Sequence, residues 1–395
     1  MVRACWGVLW TIRCVNSASP VHHWDIFCRV IDNHGDLGVC WRLSTDLAQR
    51  GHTVRLWVDD GRGLAWMAPQ GAPGVSVHAW PDAASAYPDC AQAVIEAFGC
   101  ELPEFVQARI AQAQTVARPP VWINLEYLSA EAYVRRQHGL PSPVMSGPAQ
   151  GCTKWFFFPG FTADTGGLLR EADLSERQAR WQPEAWLGSL GLPLRPEAMR
   201  VSLFCYEPEA LASWLRTLAH APRPVDVLVT PGRAWQAVQG ALTALGSDAP
   251  ALQRVRVHAL PWLSQRDFDH LLWSCDLNAV RGEDSLVRAL WAARPLLWQL
   301  YPQHDDAHHD KLRAFAQCTG MPADLLAWHA RWNGLVQAPT PLGERLDLAW
   351  PAPDAWRQWQ DWAGALRDRL AHDPSLSERL IAFVGAPDRA RRQKS

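Results

Sequence analysis

Residues Asp276–Gln303, DLNAVRGEDSLVRALWAARPLLWQLYPQ, limit the fold more than any other stretch, because a short strand, a glycine turn, a helix and a second apolar strand follow in immediate succession. Leu277–Val280 reads as the first strand and Pro295–Leu300 as the second. Between them Asp284 or Ser285 can N-cap a helix over Ser285–Ala293, in which Val287, Leu290 and Trp291 fall at helical spacing. Such a βαβ unit sets its turn where the carboxyl end of a parallel strand meets the N–H groups of a helix N-terminus, a common seat for phosphate. The turn Arg281-Gly282-Glu283-Asp284-Ser285 is therefore expected to face a diphosphate-carrying ligand through its backbone N–H groups. Its carboxylates would then serve hydroxyls or positive charge. Spacing alone leaves another reading open. RGEDS is neither a Walker loop nor the three-glycine dinucleotide fingerprint, and Asp284 and Ser285 as simple caps of a core helix satisfy it equally well.

The same order recurs through the chain. Trp24–Ile31 is a strand, Asp32–Gly38 a polar glycine turn, Val39–Arg50 a helix that Gly51 ends, and His52–Val58 the next strand. Asp32 and Asp36 stand four apart at the carboxyl edge of that first strand, where they either cap the turn and the helix or hold a general base. Val75–Ala79, Ala93–Ala97 and Val121–Leu125 read as further strands, the last followed by Glu126-Tyr127-Leu128, whose carboxylate either binds a sugar or acceptor or is a satisfied structural group. Lys154–Gly160 is aromatic enough for a contact surface, although core packing explains it as well. Arg170–Pro196, rich in charge, Trp and Pro, reads as the crossing to a second half. There Arg200–Tyr206, Pro224–Thr230 and Val255–Leu260 are strands, Leu211–Leu218 is a helix, and the Gln265–Ser274 helix turns Phe268, Leu271 and Leu272 inward. The class is α/β with a parallel sheet in each half. The boundaries read as an extension over residues 1–20, one domain over 21–180, a second over 181–355, and a helical segment over 356–395 that could pack back across the first.

Composition excludes some partners. Lys plus Arg number 38 against 40 for Asp plus Glu, so charge points neither to nucleic acid nor to a membrane surface. No apolar run reaches the roughly 18 residues of a membrane span. Residues 1–20 faintly resemble a signal peptide, but Arg13 interrupts the apolar run, and a dispensable extension or a start codon placed too early is the expectation. The ten cysteines form no C-x-x-C pair, as in a reduced cytoplasmic protein that uses cysteine as a small hydrophobe. His304–Lys311, HDDAHHDK, matches no closed ligand set, so no metal is expected there; its acids suit a helix start, from which His308 or His309 could face the central cleft.

Taken together, Trp24–Leu43 (WDIFCRVIDNHGDLGVCWRL), Leu271–Ala289 (LLWSCDLNAVRGEDSLVRA) and Tyr301-Pro302-Gln303 closely resemble the EarP-type protein-arginine rhamnosyltransferases of bacteria, and the likeness runs along nearly the whole chain from Trp24. The resemblance implies a GT-B architecture of two Rossmann-like domains facing a central cleft, with the acceptor on the amino-terminal side and dTDP-β-L-rhamnose held mainly by the carboxyl-terminal one. It implies transfer of rhamnose, with inversion, to one arginine of translation elongation factor P, a modification that helps the factor rescue ribosomes stalled on proline runs. Carried over by position, the essential aspartates fall on Asp32 and Asp36, and the donor loop on Arg281, Glu283, Asp284 and Ser285. The aromatic pocket maps to Phe204, Tyr206, Trp262, Phe268 and Tyr301, with Gln265 nearby. His34, Leu37, Trp262 and Leu286 depart from the family pattern at packing or stacking positions.

That resemblance fits the chemistry. A guanidinium stays protonated up to a pKa above about 12, so its nitrogen needs carboxylates to orient it and to take a proton as the new bond forms. Asp36 is the expected base, with Asp32 orienting it or the guanidinium, and Glu283 is expected on the donor hydroxyls. Helix N–H groups near Asp284 and Ser285, with Tyr301, would stabilise the leaving dTDP without a metal or other cofactor. Two other readings use the same residues: a GT-B enzyme with another nucleotide sugar or a small-molecule acceptor, and an idle binder of the elongation factor.

Overall fold

Continuous apolar runs such as those around Ile26, Val227 and Ala279 suit strands covered on both faces, which is what parallel pairing under flanking helices requires. The computed structural model describes residues 22–30, 34–87, 89–115, 119–246, 253–302, 307–335 and 349–387. In its first sheet β1 (His23–Cys28) lies between β2 (Thr53–Val58) and β4 (Ala93–Ala97). Beyond β2 comes β3 (Val75–Ala79), and beyond β4 come β5 (Val121–Leu125), β7 (Thr153–Phe157) and β6 (Pro141–Pro143), of which β6 alone is antiparallel. The second sheet, all parallel, takes the order β10 (Val255–Ala259), β9 (Val225–Val229), β8 (Met199–Leu203), β11 (Leu277–Arg281) and β12 (Leu296–Gln299). Each sheet therefore reverses direction of winding between its first and fourth strands, and ligands of such sheets sit outside the carboxyl ends of the strands at that reversal. The two Rossmann-like units meet across one cleft, the GT-B arrangement.

A buried charge in each sheet is fully paired. Asp25 in β1 accepts from Arg55 Nε at 2.6 Å, Trp57 Nε1 at 3.0 Å and Tyr87 Oη at 2.7 Å. Asp226 in β9 accepts from Arg195 Nε at 3.0 Å and from the Arg195 backbone N–H at 2.7 Å. Such pairing offsets the desolvation that an isolated carboxylate would suffer between two layers of helices.

Three local readings of the sequence change. The first helix spans Gly35–Gln49, four residues earlier than its apolar face suggests, so Asp36 lies in its first turn and not in a loop before it. An acidic residue there interacts favourably with the helix dipole, which the glycines on either side disguise in the sequence. Phe268 is half-buried, dividing its ring between the core and the cleft, while Leu271 and Leu272 are buried. Asp354–Phe383 forms two helices, Pro353–Ala371 and Leu376–Gly385, because Pro374 cannot donate and restricts Asp373 before it. A capping box starts the second: Ser375 N–H donates to Glu378 Oε2 at 2.6 Å, and Glu378 N–H to Ser375 Oγ at 3.3 Å. Trp359, Trp362 and Leu366 of the longer helix join the core of the second sheet, whereas Leu376, Leu380 and Val384 join that of the first. Among the described residues no helix is long and apolar enough to cross a membrane.

Candidate active site

The Arg281–Ser285 turn and the described end of the first loop, His34 and Gly35, open onto one space between the sheets. β11 ends at Arg281, and Gly282 turns the chain with φ of +65°, a left-handed conformation that side chains other than glycine rarely adopt. Ser285 Oγ accepts from Arg281 N–H at 3.1 Å and donates to the Arg281 carbonyl, which holds the turn closed on itself. The helix that follows is Asp284–Ala292, and its N-cap position is Glu283, which makes no side-chain cap. Neither Asp284 nor Ser285 caps the helix as the spacing suggested. Their side chains, and that of Glu283, are used elsewhere, so no side chain caps the first turn, of which the Val287 N–H donates to the Glu283 carbonyl at 3.0 Å. Arg281 lies with its guanidinium carbon 4.3 Å from the Phe204 ring centre and 4.5 Å from that of Tyr206, and donates to the Cys205 carbonyl at 3.0 Å.

These groups line a cleft of about 500 Å³ that takes its floor and one wall from Phe204, Tyr206, Gly232, Arg233, Trp262, Gln265, Phe268 and Arg281–Ser285, and its other wall from Val30, His34, Gly35, Arg42, Asp60 and Trp66. Tyr301 stands edge-on to Tyr206 at 5.4 Å, and Phe268 edge-on to Phe204 at 5.5 Å. Trp262, 58% exposed, meets Trp66 of the first domain at 4.8 Å between ring centres, so the two indoles bridge the mouth. Arg233 begins the helix after β9, is ion-paired with Glu207 and lies 5.1 Å from the Tyr206 ring centre.

Contacts across the cleft join the two loops. Gln265 Nε2 donates to the Gly38 carbonyl at 2.9 Å, and a Cβ on Gly38 would come within 3.0 Å of that same nitrogen, so glycine permits the approach. Glu283 accepts from the Leu128 N–H at 2.7 Å and from Lys311 Nζ at 2.8 Å. Tyr127 Oη, one residue earlier, donates to Asp36 Oδ2 at 3.4 Å. Beneath the loops, Arg42 from the first helix pairs with Asp284 at 3.1 Å, Asp269 at 3.0 Å and Glu171 at 3.5 Å. Arg288 meets Asp269 at 2.7 Å and Glu171 at 2.8 Å. Burial raises the Glu171 carboxyl pKa, but Arg288 and Arg42 outweigh it and hold the group at about 2. Burial instead prevails at Asp284, whose pKa is raised although Arg42 and Arg288 pull it down.

The family model described as "Elongation-Factor P (EF-P) rhamnosyltransferase EarP" matches residues 24–385. The chain belongs to the EarP family. Among its relatives, a protein-arginine rhamnosyltransferase of Pseudomonas aeruginosa is 44% identical over 389 residues, covering 91% of this chain and 98% of that protein. Another of that name, from Neisseria meningitidis, is 35% identical over 93% of this chain and 98% of its own length. A solved structure described as the structural basis for EarP-mediated arginine glycosylation of translation elongation factor EF-P superposes with a TM-score of 0.59 at 32% identity, covering 92% of this chain and 98% of that one.

Of the residues expected at the site, Phe204, Tyr206, Trp262, Gln265, Phe268, Arg281, Glu283, Asp284 and Ser285 line one cleft, and Tyr301 adjoins it through Tyr206. Asp36 reaches the same region through Tyr127. Asp32, like Gln303, His304, Asp305 and Asp306, lies outside the described residues. His308 is buried on its helix beside His309, and among the described residues no group of three or more His, Cys, Asp or Glu side chains could hold a metal ion. Sequence reasoning missed Arg42, Asp269, Trp66 and Arg233. A signal existed for Arg233, which follows the strand and turn PVDVLVT-PG as the third strand, glycine turn and helix of the chain. Arg42 gave none, since its partner Asp269 is 227 residues away.

Proposed function

We propose that this protein transfers L-rhamnose from dTDP-β-L-rhamnose to one arginine of translation elongation factor P, with inversion at the anomeric carbon and without a metal. The observation that carries the reading is the approach of the Asp36 turn to the Arg281–Ser285 turn across one cleft, through Gln265 to Gly38 and through Tyr127 and Leu128 to Glu283. A protein-arginine rhamnosyltransferase needs both, a carboxylate for the guanidinium and a positive cradle for the diphosphate. Membership in the EarP family, and relatives named for arginine rhamnosylation, support that choice of sugar and acceptor side chain.

The step balances as follows. A guanidinium nitrogen of the acceptor attacks the anomeric carbon from the face opposite dTDP. The carbon–oxygen bond to the diphosphate breaks and its electron pair leaves with dTDP. The guanidinium loses one proton to Asp36, with Asp32 as its orienting partner. Charge developing on the diphosphate is met by Arg281, by Arg233 and by the N–H groups at the start of the Asp284–Ala292 helix, cations and dipoles already fixed before reaction. Glu283 is held by Leu128 and Lys311 with room to accept from a sugar hydroxyl, and the aromatic set offers a stacking face for thymine. Residues 21–180 are the acceptor side and 181–355 the donor side. Free thiols at all eight described cysteines accord with a reducing cytoplasm.

Incubation of the protein with elongation factor P and dTDP-rhamnose should add one deoxyhexose to a single arginine, read by intact and peptide mass analysis; no gain would leave only a binding role. In calorimetry dTDP should bind at least about tenfold more tightly than UDP or GDP, the scale of one well-placed contact. Equal binding of all three would remove thymidine from the assignment.

A further inference from the structure

One exposed feature beside Asp36 has no part in donor binding. The carboxyl ends of β1, β4 and β5 lie side by side, and the segments leaving β4 and β5 present Phe98 and Tyr127 next to the helix that begins at Gly35. The two rings stack at 4.7 Å between centres with 21° between planes. Tyr127 is nevertheless 41% exposed, one of few large apolar side chains so open among the described residues. With Phe98 stacked on one side, the exposed part of the ring is left for something else. Phe98 itself has φ of +57°, left-handed backbone that an L-residue seldom adopts and that persists where the surroundings impose it. Its N–H donates to the Leu125 carbonyl at 2.7 Å, which ties the strained residue to the strand that carries Tyr127. Burial, then the carboxylates of Asp36 and Glu283, raise the Tyr127 phenol above its ordinary pKa, so it stays a donor to Asp36.

We propose that Tyr127, backed by Phe98, is the seat of the acceptor guanidinium: the planar cation lies on the open face of Tyr127 while the phenol O–H holds Asp36 in line with the reacting nitrogen. This rests on the arginine-transfer reading above and adds how arginine is selected. A guanidinium is flat, weakly hydrated and suited both to an aromatic face and to a carboxylate at its edge, whereas a lysine ammonium is a compact hydrated charge that gains less from that pair. Tyr127 joins the two halves of the site, since Leu128 next to it donates to Glu283 of the donor loop. Placing the acceptor on this residue therefore sets it against the donor.

The test separates ring from hydroxyl. In steady-state transfer to elongation factor P, Tyr127→Phe keeps the platform and should leave the acceptor KM within about twofold while kcat falls roughly fivefold to tenfold, the loss of one hydrogen bond. Tyr127→Leu should raise the acceptor KM by roughly tenfold in addition, the scale of a cation–π contact. Affinity for dTDP, read by calorimetry, should match wild type in both, which also reports that each variant is folded. An acceptor KM unchanged in Tyr127→Leu, with wild type active in the same assay, overturns the platform. A kcat unchanged in Tyr127→Phe overturns the positioning of Asp36. Failure of wild type itself to transfer sinks the underlying reading instead.

Discussion

Asp36→Asn should lower rhamnose transfer by about 10²- to 10⁴-fold while leaving dTDP affinity where it was, the signature of removing a general base and nothing else. The size follows from the acceptor. Because a guanidinium gives up its proton only above a pKa of about 12, a nitrogen attacking a sugar carbon at neutral pH depends on a carboxylate to take that proton as the bond forms. Asparagine keeps the shape and an oxygen that can accept from Tyr127, so the contact at 3.4 Å has a replacement. What it loses is the charge. In the first turn of the Gly35–Gln49 helix that charge contributes only about 0.3–1 kcal/mol to stability, so the variant should fold. Asp36→Glu tests geometry in turn: moving the carboxylate by about 1 Å should still cost on the order of 10² in turnover. Single-turnover transfer followed by mass analysis reads both, and turnover undiminished in Asp36→Asn would remove Asp36 as the base.

Arg42→Met should instead act on the whole molecule. Arg42 is 4% exposed and answers Asp269 and Asp284 from across the domain interface and Glu171 within its own domain. Taking away one partner of a buried ion cluster leaves uncompensated charge, a loss of about 3–5 kcal/mol and a fall in Tm on the order of 10 °C. Arg288 continues to meet Asp269 and Glu171, so Asp284 is the group left worst off, and Asp284 opens the helix beside the proposed donor site. The variant should therefore also bind dTDP more weakly, the reverse of the pattern for Asp36→Asn. Arg42→Lys should recover only part of either loss, because one ammonium cannot fork to three carboxylates. A cycle with Asp284→Asn should return a coupling of about 0.5–3 kcal/mol. An unfolding free energy within about 1 kcal/mol of wild type for Arg42→Met would show that the domains are held by apolar packing and that the ion cluster is incidental.

These two residues also mark how far the amino-acid sequence can be read. The strand, glycine turn and helix around Asp36, and again around Arg281, are visible because each is local: β-rich apolar runs, glycine at a turn, and apolar residues at helical spacing declare themselves within a dozen or so positions. Strands at Val75–Ala79, Ala93–Ala97 and Val121–Leu125 were legible to the residue for that reason. Boundaries failed where glycine or an acidic residue can belong to either side, as at Gly35 and Asp36, or where a break depends on Asp373 and Pro374 inside a run of tryptophan-rich helix. The Arg281–Ser285 turn shows the limit of local reasoning most clearly. Capping by Asp284 or Ser285 was the economical reading, yet Asp284 answers Arg42, Glu283 answers Leu128 and Lys311, and Ser285 closes the turn onto Arg281.

By itself the sequence determined the α/β class, the order of the elements, and the motifs that mark the EarP family, all of which depend on short-range periodicity and on residue types at fixed spacing. Only the tertiary structure decided that Arg42 faces Asp269, that Trp66 meets Trp262, and that Tyr127 stands over Asp36 with Phe98 behind it. Those pairings join residues far apart along the chain, and their energies come from burial and charge that exist only once the elements of each domain, and then the two domains, have packed together.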